Sequence, residues 1–528
     1  MPRNLDHSIR LHFPYTFDSN ASTNDYRLFS DQIAKISLKD LINSASFLSP
    51  NIDDSQLNSK LWQLQETELD NRIHPFANKL VNGIKENAIS EGFFGMQPIR
   101  LSDDGISLLN RGSAQNPGKG ISLLAEAAAL KRLADRDLSP PLNGLYWPMM
   151  FNSVWFYGLN TGIGILVIDL SFRQPEPNGI SIKWIEELQE INYVICRNSD
   201  DTRSPVIDWG EIENNPSSPE NSNNQSTSTK TQGLSGLVDG LIPLATGKTI
   251  QLKATDDRKN TYAYSFLATH QGLDREQRKK FIFRLARKYH ELYLPEKIEE
   301  QIDYFEPFKP ITHAFCLEGA ATYVDFICCG ENIPESIRNF NVSAIPNAYA
   351  PLVMLTYSEY IFLREMATNT PDNEKVDMRN PTNENLAKLR EFRTKLYDFR
   401  LNFRYSQISG NTNHNLFCNA NKKALEIKEL LAETSSDTQE IEQYIADHVG
   451  QKQAARLKRF GVLGSLFAVI IGWVDLWGLN LHNIIFEESQ NNPTSIAIFF
   501  GVLILLAAVV LIASKNPSNK NASKRPEK

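Results

Sequence analysis

The sequence has few cysteines and no cysteine pattern. Its five (Cys196, Cys316, Cys328, Cys329 and Cys418) are scattered, odd in number and include no CxxC pair. That excludes a zinc ribbon and a disulfide framework, and reads as reduced thiols. A basic excess is also missing: 55 Lys and Arg stand against 62 Asp and Glu, a net charge of -7, which argues against general nucleic-acid binding. No apolar stretch follows Arg3 and Arg10 near the start, so no secretory signal peptide is expected. HExxH, GxSxG and GxGxxG are all absent. Gly118-Lys119-Gly120 and Gly247-Lys248-Thr249 lack the earlier glycine of a phosphate-binding loop, with Ser113 and Ile242 in its place. The nine histidines never fall at i,i+4 spacing, so no metal cluster can be drawn. No nucleophile is paired with a base, and the chain is not expected to be an enzyme.

Proline is missing over one long window. All 26 prolines lie outside 382–492, and a proline-free stretch of that length favours long helices. Leu389, Phe392, Leu396, Phe399 and Phe403 follow the 3-4 spacing of a heptad seam. A break is expected at 409–413. The spacing resumes at Phe417, Ala420, Ala424, Ile427 and Leu431 and runs on to Asn480. An unbroken helix over 417–480 would be roughly 96 Å long; the alternative is a split at 434–437, with Ser435 or Asp437 as the second N-cap.

What is present in the 528 residues allows two to four domains. Residues 1–380 read as an α+β cytoplasmic sensing domain. Strands are expected at 163–171, 192–197 and 321–328, and helices at 123–133, 275–294 and 351–366. The Asn-, Ser-, Thr- and Pro-rich stretch 214–232 reads as a disordered insertion. Arg275, Arg278, Lys279, Lys280, Arg284, Arg287 and Lys288 crowd one helix. Three readings stay open for it: a solvated basic face, a site for an anionic ligand such as a nucleotide or phosphate, and contact with an anionic membrane surface.

Two apolar runs close the sequence, 460–479 with Asp475 as its one charge and 496–513 with none. A crossing takes roughly 20 apolar residues, and both runs qualify, the first less cleanly. Lys and Arg flank the outer ends while the linker holds Glu487 and Glu488, which puts both termini on the cytoplasmic side. The expected organisation is therefore 1–380 sensing domain, 381–459 stalk helices, 460–479 first transmembrane helix, 480–495 external loop, 496–514 second transmembrane helix and 515–528 basic tail. The fold class is an α+β cytoplasmic domain followed by long stalk helices and a two-helix C-terminal transmembrane hairpin. Several chains would have to surround a pore. The stripe Val462, Leu466, Val469, Trp473 and Leu476 would form a hydrophobic gate, Asp475 would face the interior or a neighbouring chain, and Glu487 and Glu488 would gather cations at the mouth.

The order of these parts, with Trp477-Gly478-Leu479-Asn480 ending the first run, resembles the CorA family of divalent-cation channels, whose first span ends in an aromatic followed by Gly-Met-Asn. Gly478 and Asn480 match the family's positions and Leu479 replaces its methionine. The resemblance covers roughly 380–528. It implies a homo-oligomer, typically of five chains, in the bacterial or archaeal inner membrane, passing magnesium or another divalent cation held by Asn480 as a hydrated ion. It also implies two alternatives: a CRISPR-associated effector of CorA type gated by a nucleotide-type messenger, or a membrane-anchored sensor without conduction.

Overall fold

Strict alternation builds the middle of a large sheet. In β1 (His7–Phe17) the apolar Ile9, Leu11, Phe13 and Tyr15 are buried, and Ser8, Arg10 and His12 alternate with them. Successive side chains of a strand point to opposite faces, so β1 presents one apolar and one polar face. Its neighbour β6 (Ile163–Phe172) is buried along its whole length. The computed structural model describes residues 7–17, 35–44, 57–82, 96–111, 121–124, 146–159, 163–172, 188–189, 191–193, 195, 206–208, 231–245, 252–254, 261–269, 272–288, 295–298, 302–330, 333–368, 383–403, 407–476 and 501.

The other strands are β2 (Trp62–Leu64), β3 (Met96–Leu101), β4 (Ile121–Leu124), β5 (Tyr146–Leu159), β7 (Val206–Asp208), β8 (Thr231–Gly233), β9 (Leu252–Ala254), β10 (Tyr262–Thr269), β11 (Asp303–Phe308), β12 (Ile311–Cys316) and β13 (Gly319–Asp325). Together they form one 13-stranded sheet in the order β11-β12-β13-β10-β1-β6-β5-β4-β7-β8, with β2 on β3, β3 on β5 and β9 on β1. Every pairing is antiparallel except β10–β13. The helices are α1 (Leu38–Ser44), α2 (Pro75–Asn82), α3 (Asp103–Arg111), α4 (Leu234–Ala245), α5 (Arg275–Arg287), α6 (Glu335–Arg338), α7 (Ala350–Thr368), α8 (Asn383–Phe403), α9 (Thr412–Ala424) and α10 (Ile427–Leu476), with a π-helix, Phe340–Tyr349, running into α7. One core cluster joins the apolar sheet face to α4 and α5. Helix α5 lies close to the sheet at Gly319, where a Cβ would meet the Ala263 and Ala286 carbonyl oxygens at 2.6 and 2.8 Å.

The chain forms two units, Met1–Ser436 and Asp437–Lys528. The break expected at 409–413 falls between α8 and α9, where Asn411 N-caps α9. A second break follows at Leu425–Glu426, with Glu426 in the left-handed region at φ 53°, and α10 then runs through 434–437 for 50 residues. The heptad seam of α8 turns inward: Leu389, Phe392, Leu396 and Phe399 are buried, and Phe399 stacks on Phe362 of α7 at 4.1 Å.

Several expectations need correcting. Among the described residues no helix is long and apolar enough to cross a membrane. That overturns the C-terminal transmembrane hairpin, the multi-pass inner-membrane placement, and the membrane and channel descriptions that depended on them. The described part of the first run is the 460–476 stretch of α10, and residues 477–479 lie outside the described residues. The second run, 496–513, lies outside the described residues except for Gly501. Asn192, read as part of a strand, is helical. Leu188, Ile191 and Ile195 share the helical spacing and are all buried. Residues 121–124, where a helix was expected to begin two residues later, form β4. Residues 214–230 lie outside the described residues, and Thr231 and Gln232 belong to β8.

Candidate functional site

On the polar face of the sheet, register rather than sequence proximity assembles a site. Arg10 lies opposite Asp169, which lies opposite Ser153, so β1, β6 and β5 contribute one cross-strand row. The next row holds His12, Val167, Trp155 and, from β3, Arg100. The register slips between Phe151 and Ser153, and a bulge of this kind re-aims a side chain. Asn152 donates from Nδ2 to Asp169 Oδ1 at 3.1 Å and accepts from Ser171 Oγ at 3.0 Å. Arg10 Nε donates to Asp169 Oδ2 at 2.9 Å, the two side chains being 15% and 9% exposed. Both Asp169 oxygens are thus engaged, whereas the two η amino groups of Arg10 have no partner among the described residues.

The rows floor a cleft of about 340 Å³. One wall is Gln65–Glu68 and Arg100; the other is Pro346 and Asn347 of the π-helix and Ala350, Pro351 and Met354 of α7. Such π-helical segments recur at functional sites because the extra residue per turn displaces side chains from the regular ladder. Trp155, half-buried, stacks on Tyr157 with ring centroids 6.0 Å apart. Tyr157 OH contacts Thr67 Oγ1 at 3.4 Å, and burial pushes its phenol pKa up. Arg100 bonds Gln65 Oε1 at 3.3 Å and pairs with Asp103 at 3.1 Å. His12 Nδ1 donates to the Tyr262 carbonyl oxygen at 3.2 Å. Burial lowers the His12 pKa to about 3, so the ring is neutral at ordinary pH. The cleft therefore offers an aromatic surface beside an open guanidinium, with Glu66 and Glu68 as acceptors on the rim.

The sequence-expected basic face is arranged differently. Arg278 pairs with Asp325 at 3.2 Å and donates to the Lys309 carbonyl, while Arg287 pairs with Glu318 at 3.0 Å. Arg275 reaches Glu306 at 3.7 Å, and Lys279 reaches Glu276 at 4.0 Å. Lys288, buried at the left-handed C-cap of α5, donates from Nζ to the Thr261 carbonyl. Arg284 is half-buried and partnered as well. Arg275 and Arg278 tie α5 to β11 and β13, Arg287 and Lys288 tie it to Glu318 and Thr261 beside β13 and β10, and Lys279 pairs within α5; these contacts do not converge on a shared opening.

Of the pore residues, Val462 and Val469 are exposed on α10. Leu466, Trp473, Asp475 and Leu476 lie on the same helix, and their side chains are outside the described set. Gly478, Leu479, Asn480, Glu487 and Glu488 lie outside the described residues. Among the described residues no group of three or more His, Cys, Asp or Glu is placed to hold a metal ion. Arg10, Asp169 and Trp155, which sequence reasoning missed, had one readable signal: the Ile9-Arg10-Leu11-His12-Phe13 alternation sets a cation on the polar face of a buried strand. No protein-family model matches the chain, and no curated protein matches it.

Proposed function

We propose that this chain is a ligand-sensing protein whose cleft binds a small aromatic anion of the nucleotide type. One observation carries the reading. Arg10, mostly buried and oriented by Asp169, leaves its η amino groups open beside the Trp155 ring. A guanidinium fixed through Nε offers a preformed fork for phosphate oxygens, and the half-buried Trp155 indole lining the cleft suits a stacked base. The site reads a ligand rather than transforming it. Asp169 is committed to Arg10 and Asn152, and His12 is held neutral against a backbone carbonyl.

The response has a route within the same unit. Helix α7 walls the cleft with Ala350, Pro351 and Met354. One turn further on, its Thr356 Oγ1 accepts from Asn421 Nδ2 of α9, and Glu359 pairs with Lys422 of α9 at 2.7 Å. The proposal keeps the sensing half of the sequence reading and leaves out conduction, which depended on the hairpin.

Adenosine 5′-monophosphate is the first probe, titrated calorimetrically against the full chain with inorganic phosphate in parallel. Binding should be saturable, with phosphate alone weaker. Arg10→Gln should weaken it by about 10- to 100-fold, since hydrogen bonds to charged groups contribute about 1.5–3 kcal/mol. Arg10→Lys, which keeps the charge beside Asp169 and so guards the fold, should recover part of the loss. No nucleotide binding, or binding indifferent to Arg10→Gln, would overturn the assignment.

A further inference from the structure

A second cavity, of about 330 Å³, lies where α7, α8, α9 and the first turns of α10 meet. Its interior is apolar. Phe399 is buried with one face covered by Phe362, Ile427 is buried, and Leu431 is half-buried. Its titratable lining is Glu359, Arg400, Lys422, Lys423, Lys428 and Glu429. Two of the four cations are engaged: Lys422 with Glu359 at 2.7 Å, and Lys423 with Asp303. Arg400 and Lys428 have no ion pair among the described residues, and only the exposed Glu429 opposes them.

We propose that this cavity is a separate site for a single-tailed amphipathic anion, an alkyl chain ending in a phosphate or carboxylate. The tail would lie against Phe399, Ile427 and Leu431, and the head group between Arg400 and Lys428. Several features select this class. An apolar cavity with a few converging charged groups takes a ligand that is mostly hydrocarbon. The unopposed charge is positive, and the amino end of α10, which lines the cavity, adds partial positive charge of the same sign. A nucleotide base is disfavoured because Phe399, stacked on Phe362, is only 2% exposed and leaves no open ring face. A cationic head would meet Arg400 and Lys428, the two lining cations without an ion pair among the described residues, with Glu359 already engaged by Lys422.

The test titrates the full chain with hexyl phosphate and hexanoate, using hexanol and hexylamine as matched controls. The anions should bind at one saturable site, the phosphate more tightly, and the alcohol and amine at least tenfold more weakly. The double substitution Arg400→Gln with Lys428→Gln should weaken hexyl phosphate by tenfold or more, while adenosine 5′-monophosphate binding at the Arg10 cleft stays unchanged. Leu431→Trp, which fills the cavity from its half-buried wall, should remove hexyl phosphate binding while circular dichroism stays native. Exposed apolar side chains on α10, such as Phe460 and Phe467, would hold any short tail regardless of charge. Equal binding of hexanol, or hexyl phosphate binding untouched by the double substitution, therefore overturns the site. Binding of hexanoate but not hexyl phosphate keeps the site and restricts its head group to carboxylate.

Discussion

Helix α5 and the cleft differ in how their cations are used. Seven Lys and Arg lie within 275–288, yet those with described contacts meet acids or carbonyls of the same domain. Among the described residues the cleft's cations are Arg10 and Arg100, and the outer amino groups of Arg10 have no partner among those residues. Charge density along a sequence therefore says little about where a ligand binds. What matters is whether the fold supplies partners, and β11 and β13 supply them to α5 while the polar face beneath α7 leaves Arg10 half-satisfied. Buried cations need compensation, so a compensated one is structural and an incompletely compensated one at an opening is a binding group.

Acid should discriminate most strongly between the two regions. The floor beneath the cleft contains His12, and the domain also buries His7 and His313, with burial lowering their pKa values to about 3, 4 and 3 respectively; α5 contains no histidine. In the unfolded chain these rings take up protons near pH 6.5, whereas in the folded chain they do so only near pH 3–4. The unfolded state thus binds more protons between those limits, and stability, fully present above pH 6.5, falls as pH drops through the window. Urea midpoints should decline steadily from pH 7 to pH 4, with His12→Gln flattening the slope. A midpoint independent of pH would contradict the buried neutral rings.

Arg278→Met comes next. It strands the Asp325 carboxylate, whose side chain is 1% exposed, and removing one partner of a buried pair costs about 3–5 kcal/mol. Chemical denaturation should show that loss, while nucleotide affinity of the remaining folded protein stays as in the wild type. A matching loss of affinity would mean that α5 is part of the site after all. Trp155→Ala should cost about 1–3 kcal/mol of nucleotide affinity, the range for a base stacked on an aromatic ring, and tryptophan quenching by the ligand should disappear with it. Smallest is Arg275→Ala. Its 3.7 Å contact with Glu306 is largely exposed, and such pairs contribute less than about 1 kcal/mol, so neither the urea midpoint nor binding should move measurably.

Local pattern made part of this architecture readable. The apolar run at β6, the periodicity of α7 and the inward seam of α8 all show in the sequence, because burial on one or both faces leaves a period. The joint before α10 does not show. Glu426 adopts a left-handed conformation that glycine or asparagine usually marks, and nothing in Ala424-Leu425-Glu426-Ile427 announces it. The cleft was equally hidden. Arg10, Arg100, Trp155 and Asp169 become neighbours only through three strand registers and a bulge, and registers of that range are not written in any single segment. The apolar run that begins at 460 misled in the opposite direction: hydropathy pointed to a span, and among the described residues no helix is long and apolar enough to cross a membrane.

The position of β1 also bears on how the domain comes to exist. It is the first described strand in the chain, yet it pairs with β6 on one side and β10 on the other, and His12 and the Tyr262 carbonyl that it contacts are 250 residues apart. A growing polypeptide can zip β1 to β6 early, but the opposite edge of β1 must wait for β10. Until then a row of unpaired amides and carbonyls lies open beside apolar side chains, the condition under which strands recruit wrong partners. Folding dominated by such distant pairings is slow. A nascent chain of this protein would therefore depend on something to shield that edge, and recombinant yield should respond to chaperone supply more than to changes in the helices added last.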